Sequence, residues 1–162
     1  MKSFTDKFGS LGNWKKVDEL LDETIVKQIN EASCVSAVGE MLAEFYGLNI
    51  LQEDILENLG EWSNSKILAK FLNSIETRND EEWTGSGFSH NINFIEGITA
   101  ENKVWGVFLR DGQTAGHAVL INGLDENGLI IIKDPFDQST YKIEIKELYN
   151  VLSEFVLRRK KQ

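Results

Sequence analysis

The chain has 162 residues, a net charge of −9, one cysteine, two histidines and one proline. That length suits one domain with its own core, and a single cysteine excludes an internal disulfide and a multi-cysteine zinc site. Two histidines leave little for a metal held by protein ligands alone, so neither metal nor cofactor is expected, and the acidic balance argues against broad nucleic-acid binding.

Met1-Lys2-Ser3-Phe4-Thr5-Asp6-Lys7 has no apolar stretch behind its charges, and no apolar run approaches the roughly 20 residues that cross a bilayer. The expectation is a soluble protein with no membrane insertion. Trp14, Val17, Leu20 and Leu21 mark one side of a short helix over 14–21. The clearest helix runs from Cys34 to Tyr46, where Val35, Val38, Met41, Leu42, Phe45 and Tyr46 recur at three- and four-residue steps. Ser33 or Asn30 can cap its start, and Gly47 fits the position just past its end. Gln52–Leu59 and Ser65–Ile75 read as two more amphipathic helices. Asp80 to Gly87 reads as an acidic loop and Asn91 to Ile98 as one or two helical turns.

The second half changes period. Val104 to Leu109 is a strand covered on both faces. His117–Asn122 and Leu129–Lys133 are strands joined by a connection rich in turn formers, Gly123 to Gly128. Tyr141, Ile143 and Ile145 alternate in a fourth strand. A short helix over Glu147–Leu152 and a last strand over Phe155–Leu157 follow. Arg158-Arg159-Lys160-Lys161 reads as a solvated basic tail. Helices first and an antiparallel sheet second is an α+β layout. The division expected is one domain, with 1–24 an N-terminal extension and 158–162 the tail.

Four residues carry candidate chemistry. Cys34 sits in the first turn of its helix, where the positive end of the dipole and unpaired N–H groups favour thiolate. His117 opens a strand after a glycine-bearing loop, a place where a rigid frame holds reactive groups at its rim. If the two strands close through a tight turn at Asp125-Glu126, paired residue numbers add to 251 and His117 faces Asp134. A carboxylate there orients the imidazole and stabilises its protonated form. Gln28, six residues before Cys34, offers a side-chain N–H that can join the Cys34 amide in an oxyanion hole. The other histidine, His90, has no carboxylate near it in sequence and reads as structural.

Gln28-x5-Cys34, the helix Cys34-Val-Ser-Ala-Val-Gly-Glu-Met-Leu, and Gly116-His117-Ala-Val-Leu-Ile followed by Asp134-Pro135 together resemble papain-like cysteine peptidases. More narrowly, they resemble the bacteriocin-processing peptidases that cut leaders after a double glycine. The resemblance spans roughly 25–158. It implies a papain-like fold, Cys34 as nucleophile, His117 as base, Asp134 as its orienting acid and Gln28 at the oxyanion. The family usually reads Asp-Cys-Gly where this chain has Ser33-Cys34-Val35. Family members are often the front end of a membrane transporter; here about 27 residues precede Gln28 and no transmembrane part follows, so a free-standing enzyme or excised domain is expected. Domains of this kind also resemble toxin modules delivered between bacteria. That implies action in a reducing bacterial cytoplasm, a peptide substrate containing Gly-Gly, and a cognate inhibitor or immunity protein. The same thioester chemistry serves a glutamine deamidase or a transglutaminase-type acyl transfer, the alternative reading.

Overall fold

The computed structural model describes residues 17–30, 32–61, 63–76, 80–85, 92–101, 103–109 and 117–161. The elements in chain order are β1 (Val17–Leu21), α1 (Cys34–Phe45), α2 (Gln52–Leu59), α3 (Ser65–Ile75), β2 (Glu81–Thr84), α4 (Ile92–Glu101), β3 (Val104–Leu109), β4 (His117–Leu124), β5 (Ile130–Asp134), β6 (Ser139–Ile143), α5 (Ile145–Val151) and β7 (Leu152–Lys161). The strands form a seven-stranded sheet in the order β1-β6-β5-β4-β3-β7-β2. Every pairing is antiparallel.

Alternation along the central strands sends successive side chains to opposite faces. Val104, Ala118 and Leu120 pack with Val35, Val38, Leu42, Ile55, Leu68 and Leu72 of the first three helices. Trp105, Val107, Val119, Ile121, Ile132 and Tyr141 pack on the other face with Ile95 and Ile98 of α4 and Leu148 of α5. β3 is therefore covered on both sides, as its unbroken apolar run predicts.

α1 ends as Gly47 requires. Gly47 has φ +82°, its N–H donates to the Glu44 carbonyl, and the Leu48 N–H donates to the Ala43 carbonyl. This is the paired 5→2 and 6→1 closure of a Schellman turn. At the other end, Ser33 occupies the cap position but makes no side-chain cap bond. Its hydroxyl instead donates to the Asn30 carbonyl.

Four expectations are corrected. Residues 17–21, read as the end of a helix in an N-terminal extension, form an edge strand on β6. Leu20 and Leu21 are 64% and 69% exposed, so the pattern that suggested a buried helical stripe buries neither leucine. The acidic segment read as a loop carries β2, where Trp83 is buried and Glu81–Thr84 pair with β7. Arg158–Lys161 is no tail. It is the end of β7, a strand flanked by β3 and β2, with Arg159 buried and paired with Glu76 and Glu81. Ile145 opens α5 instead of extending the fourth strand.

Candidate active site

The first turn of α1 lies against the start of β4. There the Cys34 thiol stands beside the His117 ring and the Ala118 backbone N–H, close enough for both to lower it. His117 Nε2 is 2.7 Å from Asp134 Oδ1, which leaves Nδ1 as the ring nitrogen for the sulfur. The three side chains stand in one row, Cys34 beside His117 and His117 bonded to Asp134. Cys34, His117 and Asp134 are 5%, 2% and 0% exposed, so the row is screened from water except at its thiol end.

The His117–Asp134 contact forms in a register other than the one expected. Leu120 faces Lys133 and Ile121 faces Ile132, and the register changes by a bulge before Leu124 meets Ile130. The turn is longer than a two-residue hairpin. Asp125 accepts from the backbone N–H groups of Asn127 and Leu129, and Gly123 and Gly128 take positive φ. In the sheet beyond the bulge the pairing is offset by two from the tight-turn value. An offset of two keeps each residue on its face. His117 and Asp134 thus become diagonal neighbours on the face that Val119, Ile121 and Ile132 share, and a diagonal pair remains within reach of long side chains.

Asp134 is held by three donors. Besides His117, it accepts from the Tyr141 hydroxyl at 3.0 Å and from the Phe136 N–H at 3.0 Å. The Phe136 ring stands edge-on to the His117 ring, centroids 6.4 Å apart. Tyr141 was read only as a core strand residue. Its second role follows from the β5–β6 pairing, in which Ile132 faces Tyr141 and Asp134 faces Ser139, making Tyr141 the diagonal neighbour of Asp134.

These contacts set the protonation states. Burial works against a charged His117, but the Asp134 carboxylate, its hydrogen bond and Cys34 raise the ring to about 10. Burial pushes the Cys34 thiol up, yet the His117 hydrogen bond, the His117 charge and the Ala118 N–H outweigh it, and the thiol lies below its ordinary value. Burial likewise pushes the Asp134 carboxyl up, and His117, Phe136 and Tyr141 bring it below the usual carboxylate range. All three shifts run in the direction of a thiolate–imidazolium pair backed by a carboxylate.

Gln28 is buried and joins the same neighbourhood through its backbone: its N–H donates to the Pro135 carbonyl at 2.8 Å, next to Asp134. Its side-chain Nε2 donates to the Asn30 carbonyl at 2.8 Å, in the loop that leads into Cys34. The Oε1 finds no partner among the described residues. His90 and Gly116 lie outside the described residues. Among the described residues no group of three or more His, Cys, Asp or Glu side chains is arranged to hold a metal ion, and no helix is long and apolar enough to cross a membrane.

A cysteine at a helix start, beside a histidine and a carboxylate from an antiparallel sheet, is the arrangement of a papain-like cysteine peptidase. The chain belongs to the Peptidase_C39 like family, whose model matches residues 20–156. It is 34% identical over 146 residues to Cysteine protease effector 1 of Escherichia coli O1:K1:H7, an alignment covering 88% of this chain and 28% of that protein. The chain thus matches somewhat more than a quarter of that relative's length. Its fold is similar to that of a double glycine motif protease from an AMS/PCAT transporter, crystallised with the leader peptide: TM-score 0.65, 17% identity, covering 91% of this chain and 98% of that one. It is also similar to the peptidase domain of Streptococcus ComA, a bifunctional ABC transporter involved in quorum sensing, with TM-score 0.62, 18% identity, and coverage of 85% of this chain and 97% of that one.

Proposed function

We propose that the chain cleaves a peptide bond through Cys34, His117 and Asp134, with Gln28 at the oxyanion, and that it does so as the peptidase unit of a bacterial effector. The observation that carries the reading is the His117–Asp134 bond of 2.7 Å with the Cys34 thiol beside the same ring. The Cys34 thiolate attacks the scissile carbonyl carbon, and the carbonyl's electron pair moves onto its oxygen. The Cys34 backbone N–H and the second N–H of Gln28 Nε2, the one not bound to Asn30, receive that oxyanion. Collapse of the intermediate expels the amine, which takes the proton of imidazolium His117, and leaves a thioester on Cys34. His117 then removes a proton from water, whose oxygen attacks the thioester and releases the acid. Asp134 keeps the ring in one orientation and stabilises its charged form throughout.

Gly-Gly before the cut is part of the proposal, supported by the double glycine motif protease that shares the fold. The effector role is supported by the name of the Escherichia coli relative. The test compares new protein N-termini in bacterial lysate exposed to the wild type and to Cys34→Ala. Cleavage sites enriched in Gly-Gly, absent with Cys34→Ala, are expected. Identical N-termini in both samples would refute peptidase activity, and cleavage indifferent to glycine would remove the specificity alone. Expressed inside a sensitive bacterium, the wild type is expected to arrest growth and Cys34→Ala to spare it. Equal growth would remove the effector role.

A further inference from the structure

Gln28 is only as useful as its position, and its position is set from outside its own segment. In an extended stretch, the carbonyl of one residue and the N–H two residues on point to the same side, away from the N–H of the residue between them. The 27–29 stretch follows this pattern. The Gln28 N–H donates to Pro135. On the opposite side the carboxamide of Gln52 stands in for a neighbouring strand. Its Nε2 donates to the Lys27 carbonyl at 2.6 Å, and its Oε1 accepts from the Ile29 N–H at 3.2 Å. These two backbone groups flank Gln28.

Gln52 is itself anchored. It is the first residue of α2 and is 4% exposed. Its backbone N–H donates to Glu40 Oε1 at 2.6 Å, and Glu40 lies on α1, the helix that Cys34 opens. A chain of bonds therefore runs from the nucleophile's helix through Glu40 and Gln52 to the two peptide groups beside Gln28. A buried amide in the first turn of an otherwise amphipathic helix needs such partners, because unpaired it bears the full cost of its lost hydration. A chain maintaining only a helix start would be served as well by an exposed residue there.

We infer that Gln52 is a positioning residue for catalysis: its carboxamide clamps the Lys27–Ile29 backbone and so aims the Gln28 side chain at the oxyanion formed on Cys34. This rests on Gln28 acting at the oxyanion, as proposed above. Gln52 touches no reacting atom and acts through Gln28 alone. Removing the clamp therefore affects reactions of Cys34 that pass through an oxyanion and spares those that do not.

The test uses two reactions of the chain's one cysteine. Acetylation of Cys34 by p-nitrophenyl acetate passes through an oxyanion and needs no peptide cleft; alkylation by iodoacetamide is a direct displacement without one. Rates are measured on the full chain, with Cys34→Ala as background and melting temperatures recorded. Gln52→Met keeps length and burial but forms neither bond. Its acetylation is expected to fall roughly 10- to 100-fold, the scale of a misplacement of about 1 Å, while alkylation changes by less than about two-fold. In a Gln28→Ala background, Gln52→Met is expected to add no further loss beyond about two-fold, since residues acting as a unit are non-additive. If Gln52→Met does not fold, Gln52→Glu keeps the acceptor for Ile29, loses the donor to Lys27, and is held to the same ratio. The inference is overturned if a folded Gln52 variant keeps the wild-type ratio of the two rates, or slows the Gln28→Ala protein as much as the wild type. Gln28→Ala acetylating at the wild-type rate is a separate outcome: it sinks the oxyanion reading, and the clamp's catalytic meaning with it.

Discussion

Replacing Asp134 by Asn removes one charge and keeps nearly the same shape. The Asn carbonyl can still accept from Phe136 or Tyr141, so the change isolates the carboxylate's hold on His117. In the wild type the ring is raised from 6.5 to about 10. At about 1.4 kcal/mol per pH unit, that difference is on the order of 5 kcal/mol in favour of the charged ring. Burial opposes it, and the Asp134 charge and hydrogen bond are the first two influences that overcome burial. Without them burial, the largest influence on the ring, is opposed by Cys34 alone, and the ring gives up its proton far more readily. The Cys34 thiol then loses the His117 charge, which lowers it second only to the His117 hydrogen bond, although the direct repulsion from Asp134, the smallest of the influences on the thiol, also disappears. The assay is the rate of Cys34 alkylation by iodoacetamide against pH, followed by intact mass. The wild type is expected to react with a midpoint below the usual 9.0 of a thiol. Asp134→Asn is expected to move that midpoint to 9 or above and to slow alkylation at pH 7 by roughly ten-fold or more, a factor that corresponds to about 1.4 kcal/mol. Stability follows in the same window. His117, raised, contributes fully below 6.5 and loses its contribution as pH rises through about 10. Asp134, lowered, contributes above 3.8 and loses its contribution as pH falls through its folded value. The wild type should therefore exceed Asp134→Asn in denaturant midpoint between those limits, and the two should converge outside them. Superimposable alkylation profiles for the two proteins would refute the account of the ion pair.

Tyr141→Phe leaves one oxygen of a buried carboxylate without its donor. It is expected to cost about 1.5–3 kcal/mol of stability near neutral pH, read from the urea midpoint, with alkylation of Cys34 at pH 7 slowed less than in Asp134→Asn. Arg159→Ala removes the positive charge paired with Glu76, 4% exposed, leaving its carboxylate the Trp83 indole N–H at 2.7 Å, and removes a guanidinium 4.8 Å from the Tyr46 ring centroid and 5.2 Å from that of Trp83. A loss of about 3–5 kcal/mol is expected; an unchanged guanidinium chloride midpoint would contradict it. Two glycines give opposite signs. A Cβ on Gly85 would stand 2.1 Å from the Ser65 carbonyl oxygen, so Gly85→Ala must displace backbone and is expected to lower stability by about 3 kcal/mol or more. A Cβ on Gly97 meets nothing within 4 Å, and Gly97→Ala within α4 is expected to add about 0.5–1 kcal/mol. Thermal melts of the pair check both signs.

The helices α1, α2 and α3 were legible because each carries its apolar stripe within its own residues and needs no distant partner to reveal it. β1, β2 and the 158–161 end of β7 were not, because each owes its strand state to a neighbour remote in sequence. Glu81–Thr84 look like a polar loop until Arg158–Lys161 lie beside them. Arg159 looks like solvated charge until Glu76, Glu81, Tyr46 and Trp83 surround it. The approach of His117 to Asp134 was legible for a more general reason than the register used to find it. Any even offset keeps both residues on one face, and the longer turn together with the bulge before Leu124 leaves an offset of two. Gln52 left no mark in the pattern: as the first residue of α2 it looked like an ordinary polar helix start, and only the path of residues 27–29 shows what its amide holds.

The lowered Cys34 thiol has a consequence for redox chemistry. A thiolate is oxidised by peroxide far more readily than a thiol, and the first product is a sulfenic acid. Many such sites are protected by a second cysteine that condenses with the sulfenic acid and returns it to the thiol through a disulfide. This sequence contains no second cysteine. Oxidised Cys34 therefore depends on an external thiol such as glutathione for recovery, and sustained peroxide carries it on to the irreversible sulfinic acid. The contacts that lower the thiol thus also make the reducing power of the surroundings a condition of its survival.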